Sequence, residues 1–196
     1  MEAKHHPTLN SAVLLFVYFA AMAGGLVDLS LAAGYLSGAA ASGLVVAGVV
    51  ALAAGLALLA WSLWGLHRNS LVFTRLAFPG LATAAAAHIG VLTWRLASTE
   101  GSLDVSHLAA LGLSLMALAG GGWLGRQAKT NDGGAHGLPR TGRLLAAAFG
   151  AAVVVASVAT PGLAASMAGQ HAVPHGEHGQ APSEGKHPGL VPSGHH

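Results

Sequence analysis

Hydrophobic residues along this chain fall into five long runs, at about 9–33, 42–66, 76–96, 105–124 and 143–167. Each meets the requirement of about 20 mostly apolar residues to cross roughly 30 Å of hydrocarbon. No period-two alternation accompanies them, and backbone groups in lipid must find partners within their own segment. The pattern therefore predicts helices rather than barrel strands. The first two runs adjoin through Gly34, Ser37, Gly38, Ser42 and Gly43. A single helix from Thr8 to Leu66 would be about 88 Å long, so the chain must turn there.

Composition reinforces the pattern. Hydrophobic residues make up 53% of the 196 and charged residues only 8%, against roughly 25% charged for a soluble chain. Between Thr8 and Leu66 the only formal charge is Asp28. Such a chain is neither a water-soluble enzyme domain nor a nucleic-acid binder with a basic face. The expected fold is all-α, a polytopic transmembrane bundle of five spans. Residues 1–126 form a four-helix domain, 127–142 a basic loop, 143–168 a fifth helix and 169–196 a His-rich tail expected to be disordered.

The nine Lys and Arg residues set an orientation. With these spans, Lys4, Arg68, Arg75, Arg126, Lys129, Arg140 and Arg143 share one side, while Arg95 and Lys186 fall on the other. The positive-inside rule then puts the N-terminus in the cytoplasm and the C-terminal tail outside, as in a bacterial inner membrane. Trp61, Trp64, Trp94 and Trp123 lie near predicted helix ends, as interfacial anchors do. The N-terminus reads as a retained first span rather than a cleaved signal. The stretch Pro161–Ala168 resembles the small-residue exit of a signal peptide, but an ordinary fifth helix is the favoured reading.

Chemistry is confined to few residues. The absence of cysteine removes disulfides, thiolate-bound zinc, iron–sulfur clusters and covalent haem c. Gly120-Gly121-Gly122-Trp123-Leu124-Gly125 matches a dinucleotide fingerprint by letter only. It closes a span instead of following a strand, so no nucleotide is expected. Gly34 and Gly38, Gly121 and Gly125, and the ladder Ala82, Ala86 and Gly90 have the four-residue spacing of close helix packing.

Asp28 and His88 are ionisable groups inside spans, which by default suggests function. Each lies about 10–12 Å from its outer helix end, and that shared depth allows an Asp–His hydrogen bond. A proton relay, a metal or haem ligand held in tautomer by the carboxylate, and a structural polar lock all fit that pair. His107 starts the fourth span several ångströms shallower and pairs poorly with His88 for haem b. Met116 is closer in depth, and His5, His6 and His67 leave an interfacial site open.

The tail carries His171, His175 and His178 in the spacing H-x3-H-x2-H, followed by His187, His195 and His196. Imidazoles so spaced on a flexible chain suit Cu, Zn or Ni, with copper(II) favoured on affinity alone.

Three features together resemble a family of small four-helix bacterial membrane proteins of unassigned function, also found fused to Rieske iron–sulfur domains. These are His6-Pro7 leading into the first span, Asp28 toward its far end, and Gly121-Gly122-Trp123-Leu124-Gly125 closing the fourth. The likeness covers residues of about 5–126 and implies membrane redox chemistry by analogy. The family's His near the start of the third helix is replaced here by Leu76-Ala77-Phe78-Pro79-Gly80. The fifth span and the tail are additions.

The sequence alone thus favours a non-catalytic inner-membrane protein whose outer tail captures or delivers a transition metal. One rival is a haem- or quinone-associated accessory subunit of a membrane redox complex, and another a purely structural packing subunit. The lipid bilayer and other membrane subunits are the expected partners. No nucleophile–base pair points to an enzyme.

Overall fold

The computed structural model describes residues 7–37, 42–98, 104–130 and 141–166. These form five helices: α1 (Pro7–Ser37), α2 (Ser42–Arg68), α3 (Thr74–Ala97), α4 (Val105–Thr130) and α5 (Thr141–Ala165). There is no strand among the described residues. All five helices are long and apolar enough to cross a membrane, and the chain is a multi-pass membrane protein. Each observed helix contains nearly all of its predicted span, and α4 continues through residues 127–130, which the sequence reading gave to the loop. His6, Gly38 and the tail from 169 onward, with His171, His175, His178, His187, His195 and His196, lie outside the described residues.

Pro7 occupies the first position of α1, where its missing N–H costs nothing. From there α1 runs through the centre and packs against α2, α4 and α5, while α3 lies on α4 and α4 also meets α5. More than half of the apolar window of α1 is buried (56%), against 11% for α2. The core joins Val17, Ala20, Ala21, Ala23, Val27 and Leu31 of α1 to Leu81, Leu113, Ala117, Val155 and Ala159. Outward-facing Val46, Val50, Leu56 and Leu63 leave α2 with an apolar surface suited to lipid.

Glycines set the closest approaches. A Cβ on Gly25 would lie 2.8 Å from the Gly55 carbonyl oxygen, and one on Gly55 would lie 2.7 Å from that of Gly25. The α1–α2 crossing thus works only without side chains at both positions. Gly121 meets the Phe78 ring, and Gly162 meets Ala109. Gly34 is buried and its carbonyl accepts the Ser37 hydroxyl at 3.1 Å.

Two packing expectations are corrected. A Cβ on Gly125 or Gly90 would meet nothing within 4 Å, and Ala82 and Ala86 are exposed. In an Ala/Gly-rich helix small residues recur on several faces, so spacing alone does not choose one. The buried face of α3 is Leu81, Ala85, His88 and Leu92.

At the Arg68 end the α2–α3 loop is fastened from beneath. Asn69 and Phe73 take left-handed conformations, with φ of 47° and 51°. Both are non-glycine, so their strain must be offset by the surrounding bonds. The Tyr18 hydroxyl donates to the Ser70 carbonyl at 2.7 Å and accepts from the Val72 N–H at 3.3 Å. Trp61 donates to the Val72 carbonyl at 2.8 Å and meets the Tyr18 ring edge-on. Gly65 leaves room for that tyrosine, because a Cβ there would enter its ring. Arg68 stacks over the Trp64 ring.

Candidate functional site

At the other end of the bundle, the one carrying Arg95, three helices bring polar side chains together. Asp28 and Tyr35 are seven residues apart on α1, two helical turns and about 10 Å along one face. His88 from α3 and His107 from α4 fill that interval. His88 Nε2 lies 3.3 Å from Asp28 Oδ1. His88 Nδ1 lies 3.0 Å from His107 Nδ1, and His107 Nε2 lies 2.7 Å from the Tyr35 hydroxyl. The result is an unbroken chain, Asp28–His88–His107–Tyr35.

Asp28, His88 and His107 are all buried. A carboxylate in this setting requires a donor, and His88 is placed to provide it. With Asp28 ionised and both imidazoles neutral, one assignment satisfies every bond. His88 donates Nε2–H to Asp28 and accepts at Nδ1. His107 donates Nδ1–H to His88 and accepts at Nε2 from the Tyr35 O–H. Every proton then points toward Asp28.

The surroundings fix this geometry. Asp104 precedes α4, and its Oδ1 accepts from Ser106 N–H at 2.9 Å and His107 N–H at 3.4 Å. Its other oxygen pairs with Arg95 Nη1 at 3.1 Å, tying α3 to α4. The Ser106 hydroxyl donates to the Gly162 carbonyl at 2.9 Å, and Ser30 and Ser166 bond hydroxyl to hydroxyl. The start of α4 and the end of α5 are thereby joined to α1.

Toward the Arg68 end the core of α1 continues as Val27, Ala23, Ala20 and Val17. The next buried polar group of α1 in that direction, Tyr18, is ten residues from Asp28, about 15 Å, and is already engaged by the loop. A single hydroxyl such as that of Ser114 on α4 does not span that distance.

The Asp28–His88 contact that shared depth allows is present. His107, expected several ångströms shallower than His88, is its direct partner. Depths counted from helix ends misplace it because they carry no information on the offset between neighbouring helices. Arg95 of α3 pairs with Asp104, the residue that precedes α4. Tyr35 and Asp104 were not singled out in the sequence. The signals were there, since Tyr35 repeats the Asp28 face two turns on and Asp104 stands where an N-cap belongs.

The other candidates are dispersed. His67 is exposed at the Arg68 end, and Met116 packs against the apolar core. Among the described residues no group of three or more His, Asp or Glu is arranged to hold a metal ion. Haem fits poorly at the histidine pair. All four ring nitrogens of His88 and His107 already face partners, so an iron bond would require breaking the chain. No family model, no curated protein and no solved structure matches this sequence. The likeness to the four-helix family therefore rests on the sequence motifs alone.

Proposed function

We propose that the protein is a non-catalytic accessory subunit of a bacterial inner-membrane redox assembly. In this role Asp28, His88, His107 and Tyr35 take up a proton from the outer phase and hold it within the membrane. The observation that carries this reading is the unbroken chain of contacts from Asp28 through His88 and His107 to Tyr35, which admits one proton direction when Asp28 is ionised and both imidazoles are neutral. A proton reaching the Tyr35 oxygen releases that residue's own O–H proton to His107 Nε2. His107 then passes its Nδ1 proton to His88 Nδ1, and His88 passes its Nε2 proton to Asp28 Oδ1. One proton enters, Asp28 ends as a neutral acid, and both imidazoles end in the opposite tautomer. No oxidant or reductant is consumed. A neighbouring subunit carrying out proton-coupled chemistry, such as quinone reduction or oxidation, is the natural user of such a store. The surplus of basic residues at the opposite end favours the outer side as the entrance, and the Rieske-linked resemblance favours a redox setting.

Infrared difference spectroscopy on protein in bilayers, stepped between roughly pH 9 and pH 4, tests it. A protonated-carboxyl band should appear in the native protein and vanish in Asp28→Asn. It should form more slowly by about tenfold or more in His88→Gln, His107→Gln and Tyr35→Phe, each of which interrupts a transfer. An Asp28 that stays ionised throughout that range sinks the reading.

One sequence observation favours a second role. His171, His175 and His178, with His187, His195 and His196, provide imidazoles for Cu, Zn or Ni capture. Elemental analysis of the full chain, purified without a His tag, against a 1–168 truncation tests it. Near-stoichiometric metal in the full chain that is lost on truncation supports the role, and no metal in either ends it.

A further inference from the structure

We infer that Asp104 is a positioning residue for the relay, holding His107 in place by capping α4. This rests on the relay reading above and adds to it the group that keeps the chain continuous. His107 is only the third residue of α4, in the first turn, where helices fray and backbone N–H groups have no intrahelical acceptor. Yet its ring must satisfy two partners on two different helices, Nδ1 toward α3 and Nε2 toward α1. A loss of helical backbone at this residue would swing the imidazole off both.

Asp104 has the geometry of an N-cap in full. Its carbonyl accepts the first intrahelical bond from Leu108 N–H at 3.1 Å. Its side chain accepts from the second and third helical N–H groups, those of Ser106 and His107. The capped residue and the relay residue are therefore linked directly, with His107 held at its backbone by Asp104 and at its ring by the relay. Ser106 fastens the same turn to α5 through Gly162. Arg95 binds the remaining Asp104 oxygen but is itself half-exposed, so that pair contributes little alone. The cap is what orders the turn.

Capping and charge separate by substitution. Asparagine caps about as well as aspartate, so Asp104→Asn keeps the cap and removes the ion pair. Arg95→Gln removes only the ion pair, and Asp104→Ala removes both. Solid-state nitrogen NMR on ring-labelled histidine in bilayers reads the His107 tautomer and its Nδ1–H contact with His88. Proton uptake at Asp28 is followed in the same samples. In Asp104→Ala the ordered His107 signal should be lost or divided, with uptake slowed by about fivefold or more. Asp104→Asn, Asp104→Ser and Arg95→Gln should stay within about twofold of the native protein.

An unchanged His107 signal in Asp104→Ala overturns the inference. So does an Asp104→Asn variant as impaired as the alanine one, because charge and not capping would then be responsible. If Asp28 never protonates in the native protein the relay reading fails, while the response of the His107 tautomer to the cap still judges this one. Retention of helical content in Asp104→Ala, with recovery in Asp104→Ser, separates positioning from misfolding.

Discussion

A histidine between two hydrogen-bond partners is committed to one tautomer, and two such histidines in series commit each other. His88 cannot donate at Nε2 to Asp28 and also at Nδ1 unless it is cationic, and His107 faces the same choice. A proton added to His88 Nδ1 would set two N–H groups against each other across the 3.0 Å between the Nδ1 atoms, whereas one added to His107 Nε2 requires only that the Tyr35 hydroxyl turn and accept. At His88 the chain therefore favours concerted transfer over a resting imidazolium. A proton that moves through the whole chain ends on the Asp28 carboxyl, which is the last acceptor in the sequence of contacts. Part of the site was legible from single residues. Asp28 and His88 stood out because ionisable groups are costly in lipid, and equal depth suggested their contact. Tyr35 was hidden because a tyrosine near a helix end also reads as an interfacial anchor, and His107 because depth counted from a helix end does not give the offset between neighbouring helices.

The helices themselves were legible almost to the turn, since membrane thickness and hydrophobicity fix where a span begins and ends. Their packing faces were not. Lipid tails are as apolar as leucine, so hydrophobic pattern does not mark the buried side of a membrane helix, and small residues at four-residue spacing occur on several sides. Only the contacts distinguish Gly25, Gly55 and Gly121 from Gly90 and Gly125. Substitution should show the same division with opposite signs. Gly55→Ala drives a methyl against the Gly25 carbonyl, forces α1 and α2 apart and should cost about 1–3 kcal/mol. Gly90→Ala and Gly125→Ala place the methyl in open space and gain helix propensity, so they should be neutral or stabilising by up to about 1 kcal/mol. Reversible unfolding in mixed micelles, run on the three variants side by side, reads the difference. Equal losses at all three positions would mean that the α1–α2 crossing is not the close contact described.

For the molecule as a whole, the reach of the four-member chain decides whether the proposed relay could also conduct protons. From Tyr35 to Asp28 the chain covers two turns of α1, while the helix continues another 21 residues to Pro7, about 31 Å. That remainder is lined by Val27, Ala23, Ala20 and Val17 and packed with Leu113 and Ala117. At its far end Tyr18 is spent on the α2–α3 loop. Among the described residues the next buried polar side chain of α1 beyond Asp28 is Tyr18, so a proton delivered to Asp28 leaves by the way it came or passes to a group brought by another subunit. The isolated chain should therefore store a proton without conducting one. Vesicles reconstituted with the protein and loaded with a pH-sensitive dye should hold an imposed pH gradient as long as protein-free vesicles do. The same preparation should still show the Asp28 carboxyl band when the outer pH falls. A gradient that collapses in the native protein and persists in Asp28→Asn would mean that the path continues past Asp28, and that the apolar stretch between Asp28 and Tyr18 opens to water during turnover.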